Sequence, residues 1–107
     1  MLQKTNVFVG LSFLKASKNR MAVFVVLLRS GEATPSDISK ETGLRPEHVS
    51  RALAQLHSRG LVICETPNVN KGRLYGLTQF GKQVSKVLPH SAMVQYGKFE
   101  KKRKIYK

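Results

Sequence analysis

Apolar residues recur at helical spacing over two long stretches of the chain. The first extends from Lys18 to about Arg29 and is apolar on nearly every side, which is typical of a helix that is central in a core or pairs with another subunit. Ser17 is a suitable cap for it. The second extends from Pro46 to Arg59, and its spacing predicts a buried stripe made of Val49, Ala52, Leu53 and Leu56.

A shorter helix is predicted just before the second stretch. Thr34 is a cap residue, Pro35 suits the first helical position, and Asp37 places an acid in the first turn. Gly43 gives the backbone the freedom to end this helix and turn, and the next helix opens at Pro46. Two helices separated by so short a turn must cross steeply.

The pattern changes from helix to strand after Gly60. Leu61–Thr66 and Arg73–Leu77 are short runs of strand-forming residues, and the residues between them include proline, asparagine and glycine. This arrangement predicts a hairpin. Thr78 then caps a last helix, which ends before Pro89.

Residues 1–16 fit two patterns. Val7, Val9, Leu11 and Phe13 alternate as in a strand, whereas Val7, Leu11 and Leu14 fit one face of a helix, which is the interpretation we favour. The chain is therefore predicted to be mainly α with a small β-hairpin. It divides into an N-terminal segment that can form dimers (1–16), one domain (17–88) and a C-terminal tail (89–107).

Charge narrows the choice of partner. The 107 residues include 19 Lys and Arg against 6 Asp and Glu, a formal net charge of +13. Such an excess favours DNA, RNA or an anionic membrane. No apolar stretch is long enough to cross a bilayer and no signal peptide precedes the domain, so an intracellular, cytoplasmic protein is expected. The single Cys64 excludes an intramolecular disulfide, and we expect it to pack rather than to sense oxidants.

The order of three helices, hairpin and helix resembles the winged helix-turn-helix transcriptional regulators. The resemblance covers about residues 17–88. Within it, the chain is similar above all to small archaeal regulators of the broad ArsR and MarR type. It rests on the segments SKNR (17–20), TPSDIS (34–39), GLRPEHVSRAL (43–53), RGLV (59–62) and KGRLYGLTQFGK (71–82). It implies a three-helix core with a wing and a function in DNA binding. It implies no metal site, because the cysteine-containing motif of ArsR proteins is absent.

The buried stripe of the second long helix determines which residues can contact DNA. The remaining positions must face outward, and they are Glu47, His48, Ser50, Arg51 and Gln55. A helix in the major groove presents mainly its N-terminal residues to base edges, which indicates Arg45, His48, Ser50 and Arg51. Arg51 suits a guanine edge or a phosphate, and Glu47 could accept from cytosine. The alternative is that these are ordinary solvated residues.

Two further groups can hold the phosphate backbone. Ser36 lies at a helix N-terminus, where backbone amides attract phosphate, although it could equally serve as a local cap. In the hairpin, Lys71 and Arg73 surround a flexible glycine, and Arg73 is the better candidate for insertion into a minor groove. The alternative for the hairpin is a merely soluble loop.

The tail adds charge. It carries six cations against Glu100 and is interpreted first as a disordered basic arm. Its candidate nucleic-acid contacts are Lys98, Lys101, Lys102, Arg103 and Lys104. The alternative is a packed helix, because Met93, Tyr96, Phe99 and Arg103 are spaced by three or four residues.

Other chemistry finds little support in the sequence. His48, His57 and His90 are far apart and lack ligands at metal spacing, and no phosphate loop, nucleophile elbow or carboxylate pair is evident. No enzyme, metal or cofactor is therefore predicted, and the sequence identifies no small-molecule effector.

The leading hypothesis is a homodimeric regulator that binds double-stranded DNA, with recognition helix 46–59 in the major groove and wing 67–73 on the backbone or minor groove. A two-fold axis would make its site palindromic. An RNA-binding or ribosome-associated protein is the alternative. A protein-interaction module is a third possibility, but it would need an acidic partner.

Overall fold

The computed structural model describes residues 4–93 and residue 95. Five helices and three strands follow one another along this part of the chain. In order they are α1 (Lys4–Lys15), α2 (Lys18–Ser30), β1 (Glu32–Ala33), α3 (Pro35–Thr42), α4 (Pro46–Ser58), β2 (Val62–Cys64), β3 (Tyr75–Leu77) and α5 (Gln79–Ser85). Residues 90–93 and residue 95 are also helical. The predicted tail cations, from Lys98 onward, lie outside the described residues.

Side-chain caps set three of the helix starts, as the sequence predicts. The hydroxyls of Ser17 and Thr78 accept hydrogen bonds from the third backbone N–H of α2 and α5. At α3 the Thr34 hydroxyl accepts from the Asp37 N–H while the Asp37 carboxylate accepts from the Thr34 N–H, so the two residues form a capping box. These caps confirm the predicted starts of the three helices.

The sheet has one strand more than the predicted hairpin. β3 lies in the centre and pairs antiparallel with both β2 and β1. Glu32 and Ala33, in the short link between α2 and α3, form the additional strand and pair with Gly76 and Tyr75. The two hairpin strands are shorter than predicted, since regular pairing covers only Val62–Cys64 and Tyr75–Leu77.

α1 is a helix, which confirms the interpretation favoured for the N-terminal segment. It packs on α2 and α5, and a Cβ at Gly10 would lie only 2.9 Å from Val84 Cγ2. A glycine there lets the two helices approach closely. Phe8 and Val9 remain more than half exposed on α1.

The core forms around α2. Every residue from Met21 to Leu27 is buried, and Phe24 and Leu27 are completely so. Leu14, Ile38, Leu56, Leu61 and Val84 bring the other helices and the sheet into the same cluster. Of the two predicted roles for α2, the central one is therefore observed. No helix within the described ranges has the length and apolar character needed to cross a membrane.

Candidate nucleic-acid interface

The turn between α3 and α4 sets the angle at which the second helix leaves the first. Gly43 has φ of 77°, in the left-handed region, and its N–H donates to Ser39 O. The Ser39 hydroxyl in turn donates to Leu44 O at 2.6 Å, and the Thr42 hydroxyl accepts from the Leu44 N–H at 3.1 Å. These bonds fix the path into α4, whose N-cap is Arg45.

The predicted stripe of α4 is buried, and most of the predicted outward face is exposed. Glu47, Ser50 and Arg51 are exposed, whereas His48 and Gln55 are half-buried. The stripe itself, Val49, Ala52, Leu53 and Leu56, is buried as the helical period indicates. Three of the five expected surface positions are thus fully available to a partner.

An ion pair occupies the start of α4. Arg45 Nε lies 3.4 Å from Glu47 Oε2, and the side chains are 75% and 59% exposed. An exposed pair of this kind is weak, because water screens it and both side chains lose conformational freedom in forming it. Both groups therefore remain available to a partner.

A cleft of about 330 Å³ lies between α4, the start of α3 and the hairpin. Pro35 contributes from α3, Ser50 and His57 from α4, and Arg73 and Tyr75 from the hairpin. Parts that the sequence analysis assigned separately to DNA binding therefore border a single concave surface. The sequence did not place His57 or Tyr75 at this surface, because no local pattern shows that α4 and the hairpin meet there.

The hairpin tip, residues 67–73, forms the wing. Lys71 and Arg73 are exposed, and Gly72 between them has φ of 68°. Arg73 Nε–H donates to Val69 O at 2.7 Å, which anchors the guanidinium to the wing's own turn. Its remaining N–H groups can still reach an anion. Ser36 is exposed near the start of α3, where the cap is formed by Thr34 and Asp37 instead.

A cluster that sequence reasoning missed joins α1, α2 and α4. Arg20 Nε–H donates to Phe13 O at 3.0 Å, and Arg20 Nη1 donates to Gln55 Oε1 at 3.2 Å. Two guanidinium carbons lie close to the centre of the Phe13 ring, that of Arg20 at 3.9 Å and that of Arg59 at 4.6 Å. Only the four-residue spacing of Gln55 and Arg59, which places them on one helix face, could have hinted at it.

Two of the few acids meet on the sheet. The carboxyls of Glu32 and Glu65 interact above Gly76, where a Cβ would come within 2.6 Å of Glu65 Oε2. The hydrogen bond with Glu32 raises the pKa of Glu65, and desolvation and repulsion by the Glu32 charge act in the same direction. Lys82 opposes the shift. Within the described ranges no three His, Cys, Asp or Glu side chains cluster so as to hold a metal ion.

Sequence comparison identifies one family model. The model of the sugar-specific transcriptional regulator TrmB matches residues 11–80, which extend from the middle of α1 into α5. No curated protein is significantly similar to the chain in sequence.

The fold is similar to that of solved winged-helix regulators. A mutant of Lactococcus lactis ZitR has a TM-score of 0.61 at 21% identity, over 74% of this chain and 53% of that one. Wild-type ZitR in complex with DNA has a TM-score of 0.56 at 18% identity, over 80% and 61%. A mutant of E. coli MarR complexed with operator DNA has a TM-score of 0.58 at 21% identity, over 88% and 71%. The chain thus spans little more than half the length of these ZitR chains.

Proposed function

Because the chain belongs to the TrmB family of transcriptional regulators, we propose that it binds a specific sequence of double-stranded DNA with α4 in the major groove. The wing then lies on the adjacent backbone or in the minor groove. The protein acts in the cytoplasm as a homodimer on a palindromic site. No step of this function requires catalysis, a metal or a cofactor.

The observation that carries the proposal is the shared cleft. Pro35, Ser50 and Arg73 border one concave surface although they come from three separate elements. A duplex presents its bases and its backbone side by side, so a protein that reads sequence must contact both at once. A helix face next to a cationic hairpin meets this requirement.

The candidate DNA contacts divide into two roles. Arg45, His48, Ser50 and Arg51 occupy the N-terminal half of α4 and are the candidates for base contacts. Ser36, Lys71 and Arg73 are exposed at the start of α3 and in the wing and are the candidates for phosphate contacts. Glu47 would repel the backbone unless it accepts a hydrogen bond from a cytosine amino group.

The exposed apolar residues of α1 support the homodimer. Phe8 is 52% and Val9 57% exposed, whereas Met21 to Leu27 of α2 are already buried in the core of a single chain. α1 is therefore the better candidate for contact with a second copy. A two-fold axis would place two copies of α4 in successive major grooves, roughly 34–36 Å apart.

Selection from a random duplex library tests the proposal. We expect an enriched palindromic motif whose binding survives an excess of unrelated duplex and of structured RNA. A protein that RNA displaces at equal nucleotide concentration, and that enriches no duplex motif, would instead belong to the RNA-binding alternative.

A further inference from the structure

Arg20 connects the N-terminal helix to the recognition helix. Its Nε–H bond to Phe13 O holds the end of α1, and its Nη1 bond to Gln55 Oε1 holds the C-terminal half of α4. The guanidinium is planar and presents its N–H groups in a fixed fork, so the two bonds restrain both partners together. We call Phe13, Arg20, Gln55 and Arg59 the clasp.

The clasp holds α4 at two points one helical turn apart. Gln55 is bound through Arg20, and Arg59, the C-cap residue of α4, places its guanidinium 4.6 Å from the centre of the Phe13 ring. Both points lie in the C-terminal half of the helix. The candidate base-reading residues lie in the other half.

A rigid helix turns a small tilt at the clasp into a displacement at the reading end. Gln55 and His48 are separated by seven positions, or roughly 10 Å along the axis. A tilt of about 10° at Gln55 would therefore move the reading end by roughly 2 Å. Hydrogen bonds to base edges tolerate only a few tenths of an ångström, so the tilt matters for base reading far more than for contact with the phosphate backbone.

We propose that Arg20 is a positioning residue for sequence discrimination: through the clasp it fixes the tilt of α4 without touching DNA. Gln55 then serves as the residue through which Arg20 holds α4, and not as a base-reading residue. This inference rests on the proposed function, because discrimination presupposes DNA binding. It assigns a part in reading DNA to α1, which lies outside the helix-turn-helix.

The test compares variants by their discrimination ratio, which is the Kd for a duplex with one changed base pair divided by the Kd for the preferred duplex. Arg20→Met is expected to lower this ratio about fivefold, which corresponds to losing part of one base contact. Lys18→Met is the matched control, because Lys18 is exposed on the same helix and its loss removes the same charge. All measurements are made at a temperature at which circular dichroism shows each variant folded.

Two conservative variants separate positioning from stability. Arg20→Lys should give an intermediate ratio, because an ammonium can reach one acceptor but lacks the fork. Gln55→Glu should keep the ratio while weakening binding to every duplex, because a carboxylate still accepts from Arg20 but repels phosphate.

Three outcomes would overturn the proposal. An Arg20→Met ratio within about twofold of that of Lys18→Met, with only a lower Tm, would mean that Arg20 merely stabilises the fold. A Gln55→Glu variant that prefers a different base pair would show that Gln55 reads DNA directly. A wild-type protein that discriminates between no duplexes would overturn the proposed function as well, and it would be recognised before any variant is made.

Discussion

Arg45 and Glu47 pair across Pro46 at the start of α4, with Arg45 Nε 3.4 Å from Glu47 Oε2. The pair places one of the few negative charges of this chain where the DNA backbone is expected. Since both side chains are mostly exposed, losing the pair should cost the fold little.

Glu47→Gln is therefore expected to strengthen binding to every duplex. If the freed Arg45 neutralises one more phosphate, the slope of log K against log salt steepens by about 0.9, which is roughly a fivefold gain at about 0.15 M salt. Fluorescence anisotropy over a salt series measures both quantities. A loss confined to duplexes that carry one particular C·G pair would show instead that Glu47 accepts from cytosine.

Arg51→Ala is expected to lose affinity mainly for the preferred duplex. Arg51 is exposed in the reading half of α4, and a bidentate contact to guanine contributes about 1–3 kcal/mol of discrimination. Lys86→Ala, which removes an exposed cation just after α5, is the control for charge alone. Equal losses for preferred and unrelated duplexes would reassign Arg51 to the phosphate backbone.

Removal of residues 98–107 is expected to weaken binding to all duplexes alike. This segment contains six Lys and Arg residues and only Glu100 as an acid. For each phosphate that the shortened chain no longer neutralises, the salt dependence should flatten by about 0.9. The measurement is the salt slope on preferred and unrelated duplexes. An unchanged slope would mean that the segment does not bind the DNA backbone.

Glu65→Gln is expected to stabilise the fold near neutral pH. The pKa of Glu65 is raised above its ordinary value of 4.5, chiefly through the hydrogen bond with Glu32. The stabilisation linked to its proton is fully present below the ordinary pKa and is lost as pH rises through the raised pKa. Glutamine can keep the hydrogen bond without the charge, so it removes repulsion that exists only at higher pH.

Thermal unfolding at two pH values checks this prediction. Tm should rise on Glu65→Gln at about pH 7 and change little at about pH 3, where the carboxyl is already protonated. Glu47→Gln makes the same change in net charge away from the sheet and is the control. A lower Tm at neutral pH would contradict the repulsive pair.

Thr34→Ala is expected to destabilise the domain by about 1 kcal/mol, because it removes the hydroxyl of the α3 capping box. For a domain of this size that corresponds to a fall in Tm of roughly 4–8 °C. Thr34→Ser keeps the hydroxyl and should retain most of the stability. If Thr34→Ala and Thr34→Ser have the same Tm, the hydroxyl is not what stabilises the helix start.

Local chemistry made much of the fold predictable. Thr34 and Pro35 determine a helix start within a few residues of chain, and Thr78 does the same for α5. The additional strand, Glu32–Ala33, could not be found in this way, because two residues carry no period and they pair with β3 more than 40 positions away.

The same distance effect limited the prediction of the site. The helical period placed Gln55 on the outer face, but its side chain is half-buried by a contact with Arg20 that spans 35 positions. The N-terminal segment was ambiguous for a similar reason. Its apolar residues alternate as in a strand, but the segment forms a helix, α1, whose Gly10 packs closely against Val84 of α5. Contacts between distant elements therefore determined what local patterns left open.

The pairing of β1 with β3 ties the start of α3 to the wing. Ala33 pairs with Tyr75 at the base of the wing, and Thr34, the next residue along, caps the helix that begins at the cleft. The start of α3 and the base of the wing are therefore held at a fixed distance from each other. A duplex that contacts both parts, as proposed, has to match their fixed spacing, so we expect easily deformed base steps to be favoured even at positions that no side chain touches.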